Sequence, residues 1–256
     1  MSPLEMAAIL LAGVAAGTIN TVVGSGTLVT FPTLLAFGVP PVTANISNAI
    51  GLVPGSVSGA YGYRRELAGQ RGRILRFASA TLIGATAGAL LLLVLPSAAF
   101  RAIVPVLILL GLVLVVLQPR ISRAVARKHA GLGGLPANGA GWVWPSILGV
   151  GVYCGYFGAA QGVLCMAVLG AGVDDTLQRL NGVKNVLAAL GNGVAGLVFV
   201  IAAFGTIDWR IVALIAVGST IGGQLGASWG RKLPAPALRA LIVVVGSVAL
   251  VRFLVG

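Results

Sequence analysis

Residues 4–41 read LEMAAILLAGVAAGTINTVVGSGTLVTFPTLLAFGVPP. A helix-length apolar run, Leu4–Val23, stops at Gly24-Ser25-Gly26. A second run, Thr27–Phe37, has 11 residues before Gly38-Val39-Pro40-Pro41 breaks it. As a helix it reaches about 16 Å, against about 30 Å of bilayer hydrocarbon. A full-length run, a glycine break and a half-length run together spell a broken element. At membrane depth such backbone survives only inside protein or beside a watery cavity.

The rest of the chain extends this pattern. Apolar runs follow at Ala44–Tyr63, Ile74–Leu95 and Ala99–Leu117. A second set starts at Trp142–Phe157, breaks around Gly158, and continues with a short run, Ala160–Ala171. Leu180–Phe204, Ile207–Trp229 and Ala237–Val255 complete it. The order repeats: long run, glycine break, short run, Gly-Val turn, then three long runs. Gly38-Val39-Pro40-Pro41 echoes Gly172-Val173-Asp174-Asp175, and Asn48 and Gly59 echo Asn185 and Gly196. We read an internal duplication: a first membrane repeat at 1–118, a basic polar linker at 119–141 on the cytoplasmic side, and a second repeat at 142–256. The expected fold class is all-α, a polytopic membrane protein of two inverted repeats. Each repeat has about four spanning helices plus short broken or re-entrant segments.

Composition agrees. Of 256 residues, 58% are hydrophobic and 9% charged, and mean hydropathy is +1.03. A soluble domain is about 45–50% apolar and about 25% charged, so a soluble globule is excluded, as is disorder, which needs low hydrophobicity. The net charge of +12 would suggest nucleic acid in a soluble protein. Here the bases sit in loops between apolar runs, which marks cytoplasmic anchoring. The expected partner is the lipid bilayer, with no nucleic acid.

Loop charge bears on topology. If the two short segments do not cross, the loops divide ten Lys/Arg against five. If each crosses, they divide thirteen against two, with only Arg101 and Arg210 on the poor side. The positive-inside rule prefers crossing. An odd number of crossings per half also makes the repeats inverted, a common transporter architecture. The first run lacks the positive start of a signal peptide, since Glu5 is its only charged side chain, so it is read as a retained helix.

Catalytic signals are weak. His129 lies in the basic loop, and none of the five acids, Glu5, Glu66, Asp174, Asp175 and Asp208, lies deep inside a long apolar run, Glu5 and Asp208 being each the second residue of one. Cys154 and Cys165 have no His or acid beside them, which supports neither a metal site nor a disulfide framework. The glycine break lacks the Gly-Lys-Ser/Thr ending of a P-loop. We expect no enzyme activity, cofactor or metal.

Polar residues at membrane depth are costly and so point to function. They gather at the short segments: Asn20, Thr21, Gly24, Ser25, Gly26 and Thr27, then Asn45, Ser47 and Asn48, and in the second half Gln161, Asn181, Lys184 and Asn185. Helix N-termini with amides, a hydroxyl and one Lys form an anion cradle. The same amides and hydroxyls also serve as plain interhelical hydrogen bonds. The glycines of 51–62 and 218–230 suit close helix packing. Asp174 and Asp175 suit a helix start. Lys184 either snorkels to the cytoplasmic lip or stays inside as the partner of an anion.

The sequence resembles the TauE/SafE family of sulfite-exporter-like membrane permeases. The resemblance rests on residues 17–32, GTINTVVGSGTLVTFP, on 38–48, GVPPVTANISN, on Pro54-Gly55-Ser56, and on the Tyr63-Arg64-Arg65-Glu66 exit. The second half is looser, with Gly158-Ala159-Ala160-Gln161-Gly162 where the family often has a glycine cluster. The resemblance implies a multi-pass protein of the bacterial inner membrane that exports sulfite or a related small sulfur anion, such as a sulfonate. A dianion leaving a negative-inside cell gains about 4.6 kcal/mol per 100 mV, so export needs no carboxylate relay. The expectation is a secondary transporter working by alternating access on a small anionic substrate. Uptake of another small anion or sulfur compound, and a membrane assembly role without transport, stand as alternatives. Oligomeric state, homo-oligomer included, is left open.

Overall fold

The computed structural model describes residues 1–131, 136, 138–230 and 235–255. Ten α-helices run in chain order: α1 Pro3–Val22, α2 Thr27–Ala36, α3 Pro41–Gly62, α4 Arg71–Val94, α5 Ser97–Gly131, α6 Val143–Tyr156, α7 Gln161–Gly172, α8 Leu177–Ala202, α9 Trp209–Trp229 and α10 Ala235–Val255. One 3-10 turn, Phe204–Thr206, joins α8 to α9.

Local sequence explains the ends. Ser2 and Glu5 form a reciprocal capping box ahead of α1, with Pro3 at its first position, where the missing N–H costs nothing. Pro41 starts α3 in the same way. Thr176 caps α8 through Arg179 N, and Asp208 caps α9 through Arg210 N and Ile211 N. The two breaks need left-handed backbone: Gly24 has φ +88° and Gly158 φ +74°. Ala160 follows with φ +56°, a conformation that costs a residue with a Cβ about 1–2 kcal/mol.

Among the described residues, five helices are both long and apolar enough to cross a membrane: Pro3–Val22, Arg71–Val94, Leu177–Ala202, Trp209–Trp229, and α5 over Ser97–Ile121. The expected short runs are the helices α2 and α7, with 10 and 12 residues. Two details differ from the sequence reading. First, α6 has only 14 residues, about 21 Å, because the chain turns at Gly158. Second, the basic stretch read as a linker from residue 119 continues α5 as helix to Gly131. Residues 132–135 and 137 of that stretch, with Arg231 and Lys232, lie outside the described residues, as do the side chains of Arg127, Lys128 and His129.

Close glycine packing fixes helix directions. Gly13 of α1 faces Ile215 and Gly218 of α9, Gly17 faces Ser219 and Gly223, and Gly226 faces Thr18 and Thr21. The two helices are therefore parallel. Gly84 and Gly88 of α4 meet Leu148, Gly151, Val152 and Tyr156 of α6, again parallel. Helix α3 follows α9, with Gly51 on Ile215 and Gly62 on Ala227. It opposes α8, with Gly196 on Ile50 and Gly182 on Tyr63. Each relation has a counterpart when the first five helices are exchanged for the last five: α1 on α9 answers α6 on α4, and α2 on α10 answers α7 on α5. Small residues four apart let the backbones approach this closely, the usual way helices associate in lipid. Outside the seams, large apolar side chains such as Leu11, Val94, Ile201 and Trp229 are exposed, as a lipid-facing surface requires.

The 63–70 loop, the 173–176 turn and the end of α9 share one end of the bundle. Arg73 pairs with Asp175 at 2.6 Å, and Gln70 Nε2 and Arg179 Nη2 donate to Arg179 O and Ala68 O, each at 3.3 Å. Arg64, Arg65, Arg71, Arg73, Arg76 and Arg179 thus gather there. Arg101 and Arg210 lie at the other end, near the starts of α5 and α9.

The seams make a direct prediction. A Cβ on Gly155 would collide with the Ala85 carbonyl, whereas one on Gly193 meets nothing within 4 Å. Gly155→Ala should cost about 1–3 kcal/mol by overpacking, and Gly193→Ala should be neutral or gain up to about 1 kcal/mol. Thermal unfolding in detergent reads the difference; equal midpoints would show that the seam is not tight.

Candidate functional site

The two broken elements cross each other. Gly162 N donates to Gly24 O at 2.9 Å, and the two Cα atoms pack so closely that a Cβ on either glycine would overlap the other residue. This crossing brings the ends of α1 and α7 beside the first two turns of α8.

A helix leaves its last four carbonyls without intrahelical partners, and that end carries partial negative charge. Helix α1 ends inside the protein, where those carbonyls cannot reach bulk water. Residues on α8 answer them. Lys184 Nζ donates to Asn20 O at 2.9 Å and Thr21 O at 3.1 Å. Asn181 Nδ2 and Asn185 Nδ2 donate to the same Thr21 O at 3.1 and 3.3 Å. The spacing of 181, 184 and 185 places all three on one helix face. Lys184 is 1% exposed, so it stays inside rather than snorkelling. Among the described residues no Asp or Glu is buried. The ammonium therefore rests on carbonyl dipoles alone, and no described partner takes its third N–H.

The other half has a reduced counterpart. Asn45 Nδ2 on α3 donates to Tyr156 O, the last residue of α6, at 2.9 Å. Asn45 thus does for α6 what Asn181 does for α1. Asn48, one turn on, bonds Thr30 Oγ1, and its Nδ2 donates to Thr27 Oγ1 at 3.4 Å, which ties α3 to the short α2. Asn20 Nδ2 donates to Ser56 Oγ at 3.2 Å. Gly26 starts α2 against the Ala16 carbonyl. Ser25 is buried and its Oγ has no hydrogen-bond partner among the described residues. Ser47 lies apart from the others: its Oγ accepts from Asp208 N at 3.0 Å, at the start of α9.

Two spaces meet this cluster. A small cavity of about 20 Å³ lies against Lys184, Gln161, Cys154, Cys165 and Thr81, room for about one water. A vestibule of about 180 Å³ opens at the arginine-rich end and is lined by Tyr63, Gln118, Met166, Gln178 and Asn181, among others. Asn181 belongs both to the vestibule wall and to the amide cluster on Thr21 O. The sequence reading singled out Asn181, Lys184 and Asn185 but not the Thr21 carbonyl on which they converge. A main-chain oxygen is present in every residue, so no side-chain pattern could have marked it.

A bundle with two crossing broken helices, a buried lysine at their crossing and a vestibule from one end defines a multi-pass membrane protein that handles small solutes. The sequence profile of the sulfite exporter TauE/SafE family matches residues 9–253. The chain belongs to this family and is a multi-pass transporter of the inner membrane. It is 28% identical to the probable membrane transporter protein YfcA of Escherichia coli strain K12, over 99% of this chain and 91% of that protein. Identity to the probable membrane transporter protein ORF9 of Sinorhizobium sp is 26%, over 97% and 92%. To a probable membrane transporter protein of Haemophilus influenzae it is 25%, over 94% and 91%. No solved structure gives a significant match.

The end of the bundle is held by charge. Burial pushes the Asp175 carboxyl up, but Arg73, Arg179 and the Thr176 N–H together bring it below the ordinary carboxylate value. A carboxylate held low in the folded chain contributes stability that is complete above the unfolded value of about 3.9. That contribution is lost as pH falls through the lower folded value. Wild type should therefore melt higher than Asp175→Asn at pH 5–7, and the gap should close near pH 3. A gap that does not change with pH would remove the ion pairs from the account.

Proposed function

We propose that the protein exports sulfite, or a closely related small sulfur-containing anion such as a sulfonate, by alternating access. Lys184 carries this reading: it is a buried amine, with one N–H that no described residue takes, at the crossing of two broken helices, joined through Asn181 to a vestibule at the arginine-rich end. By the positive-inside rule that end is cytoplasmic, so cargo enters from the cell interior. Asn181 meets the anion first. Lys184 supplies the charge, and Gln161, Asn185 and the Gly24–Thr27 and Gly158–Gln161 backbone supply hydrogen bonds to its oxygens. Asn20, Asn45 and Asn48 hold the broken helices in register around it, and the unpartnered Ser25 hydroxyl is a further donor at the first break.

The opposed helix directions support inverted repeats, and the short helices α2 and α7 then act as the moving gates. A cavity of about 20 Å³ beside Lys184 is too small for sulfite, so loading requires α7 to shift from Lys184. Rocking of one repeat against the other supplies such movement in related architectures. The membrane potential drives the anion outward without a carboxylate relay.

Flux of labelled sulfite from proteoliposomes tests the proposal. Wild type should release sulfite faster than empty liposomes, with competition by a sulfonate. Lys184→Ala should slow release at least about tenfold, as expected for loss of a charged hydrogen bond. Release of a different anion but not sulfite would overturn the cargo. No flux of any anion from folded protein would overturn the transport site.

A further inference from the structure

One face of α5 changes character where the helix leaves the apolar core. Val106, Leu109, Val113 and Val116 are exposed, and Arg120 and Arg123 are exposed after them. These six positions are spaced alternately three and four residues apart, which puts them on one helix face. The other side turns inward. Gln118 and Ile121 line the vestibule, and Gln118 Oε1 accepts from Arg239 Nε of α10 at 3.3 Å. From Val106 to Val116 the helix rises about 15 Å, half of a hydrocarbon core about 30 Å thick. The apolar stripe is therefore one leaflet long. Arg120 stands about 6 Å further on, within the head-group layer, which adds about 5–8 Å on each side. Arg123 Nε donates to Pro119 O at 3.2 Å, so its side chain folds back toward the same level. Among the described residues neither guanidinium has a carboxylate partner, and the sequence has no acid between Glu66 and Asp174.

We propose that this face of α5 binds an anionic phospholipid of the cytoplasmic leaflet, with its acyl chains along Val106–Val116 and its phosphate between Arg120 and Arg123. Residues three apart are neighbours on a helix surface, and guanidinium groups pair with phosphate oxygens through parallel N–H bonds. A zwitterionic head group carries its own cation, which competes for that phosphate. A glycerol head group does not, so the site selects phosphatidylglycerol over phosphatidylcholine. A second copy of this chain fits the stripe less well. Two copies inserted in the same direction would bring their arginines to the same level, charge against like charge. The lipid lies behind the vestibule wall and steadies the helix that carries Gln118 and Ile121. The inference uses the fold and its sidedness, not the cargo or its direction.

The test is thermal unfolding of the purified full-length protein in detergent, titrated with phosphatidylglycerol or with phosphatidylcholine of the same acyl chains. Phosphatidylglycerol should raise the wild-type midpoint by at least about 2 °C more than phosphatidylcholine, as a ligand of the folded state does. The double variant Arg120→Gln/Arg123→Gln should lose that difference. Arg65→Gln/Arg71→Gln, which removes two exposed arginines from the same end of the bundle, should keep it. Equal effects of the two lipids on wild type would overturn the proposal, a readout that needs no variant to fold. Equal loss in both double variants would also overturn it, by showing attraction to the basic end without a site. So would a native mass spectrum in which wild type is a dimer that retains no phosphatidylglycerol, because a second copy would then cover this face. None of these measurements uses a cargo, so failure of the sulfite assay and failure of this inference are distinguishable.

Discussion

Helix α1 stops inside the bundle, and its last carbonyls have no bulk water to turn to. An unmet polar group at this depth costs several kcal/mol. The remainder of the structure is arranged around meeting that demand. Helix α8 must lie close enough for Asn181, Lys184 and Asn185 to reach Asn20 O and Thr21 O. That requires α7 to slip past α1, which the Gly24 and Gly162 contact allows. The seams of small residues between α1 and α9 and between α4 and α6 then bring the outer helices in tightly enough to exclude lipid.

The same constraint explains why a buried lysine is tolerated without a carboxylate. An isolated ammonium at membrane depth is expensive. A helix C-terminus supplies partial negative charge from backbone dipoles, which are fixed and cannot be protonated away. The charge is compensated without being cancelled, and the small cavity lies against it.

Much of this was legible in the sequence, for particular reasons. The half-length runs at 27–37 and 160–171 gave the broken helices, because length against bilayer thickness is a hard limit. The polar residues opening α3 and α8 stood out because amides and a lysine are rare in apolar runs. Three things were not legible. The helical continuation of α5 through Arg120 and Arg123 was hidden because charge and Pro119 look like a linker until the helix is seen to project beyond the apolar core. The displacement of Ser47 toward Asp208 was hidden because residues 47 and 48 differ by 100° around a helix, and sequence proximity does not report facing. The convergence on Thr21 O was hidden because its chemistry is main-chain.

The first and last five helices are not quite symmetric, and the asymmetry carries meaning. Both halves place an asparagine on the other half's broken helix end, Asn45 on Tyr156 O and Asn181 on Thr21 O. Only the second half adds an ammonium. In the first half Ser47 stands at the equivalent position and accepts from Asp208 N, while Asn48, the counterpart of Asn185, is committed to Thr30 and Thr27. Two facing ammonium groups would repel each other in an empty site and hold an anion too firmly to release. In the proposed export a single ammonium, partly engaged by the end of α1, would attract an anion without trapping it. Passage through a membrane needs that balance, because a site must be favourable enough to enter and weak enough to leave. On the proposed reading, the departure of α8 from α3 at Lys184 gives the paired scaffold a site with one sign of charge.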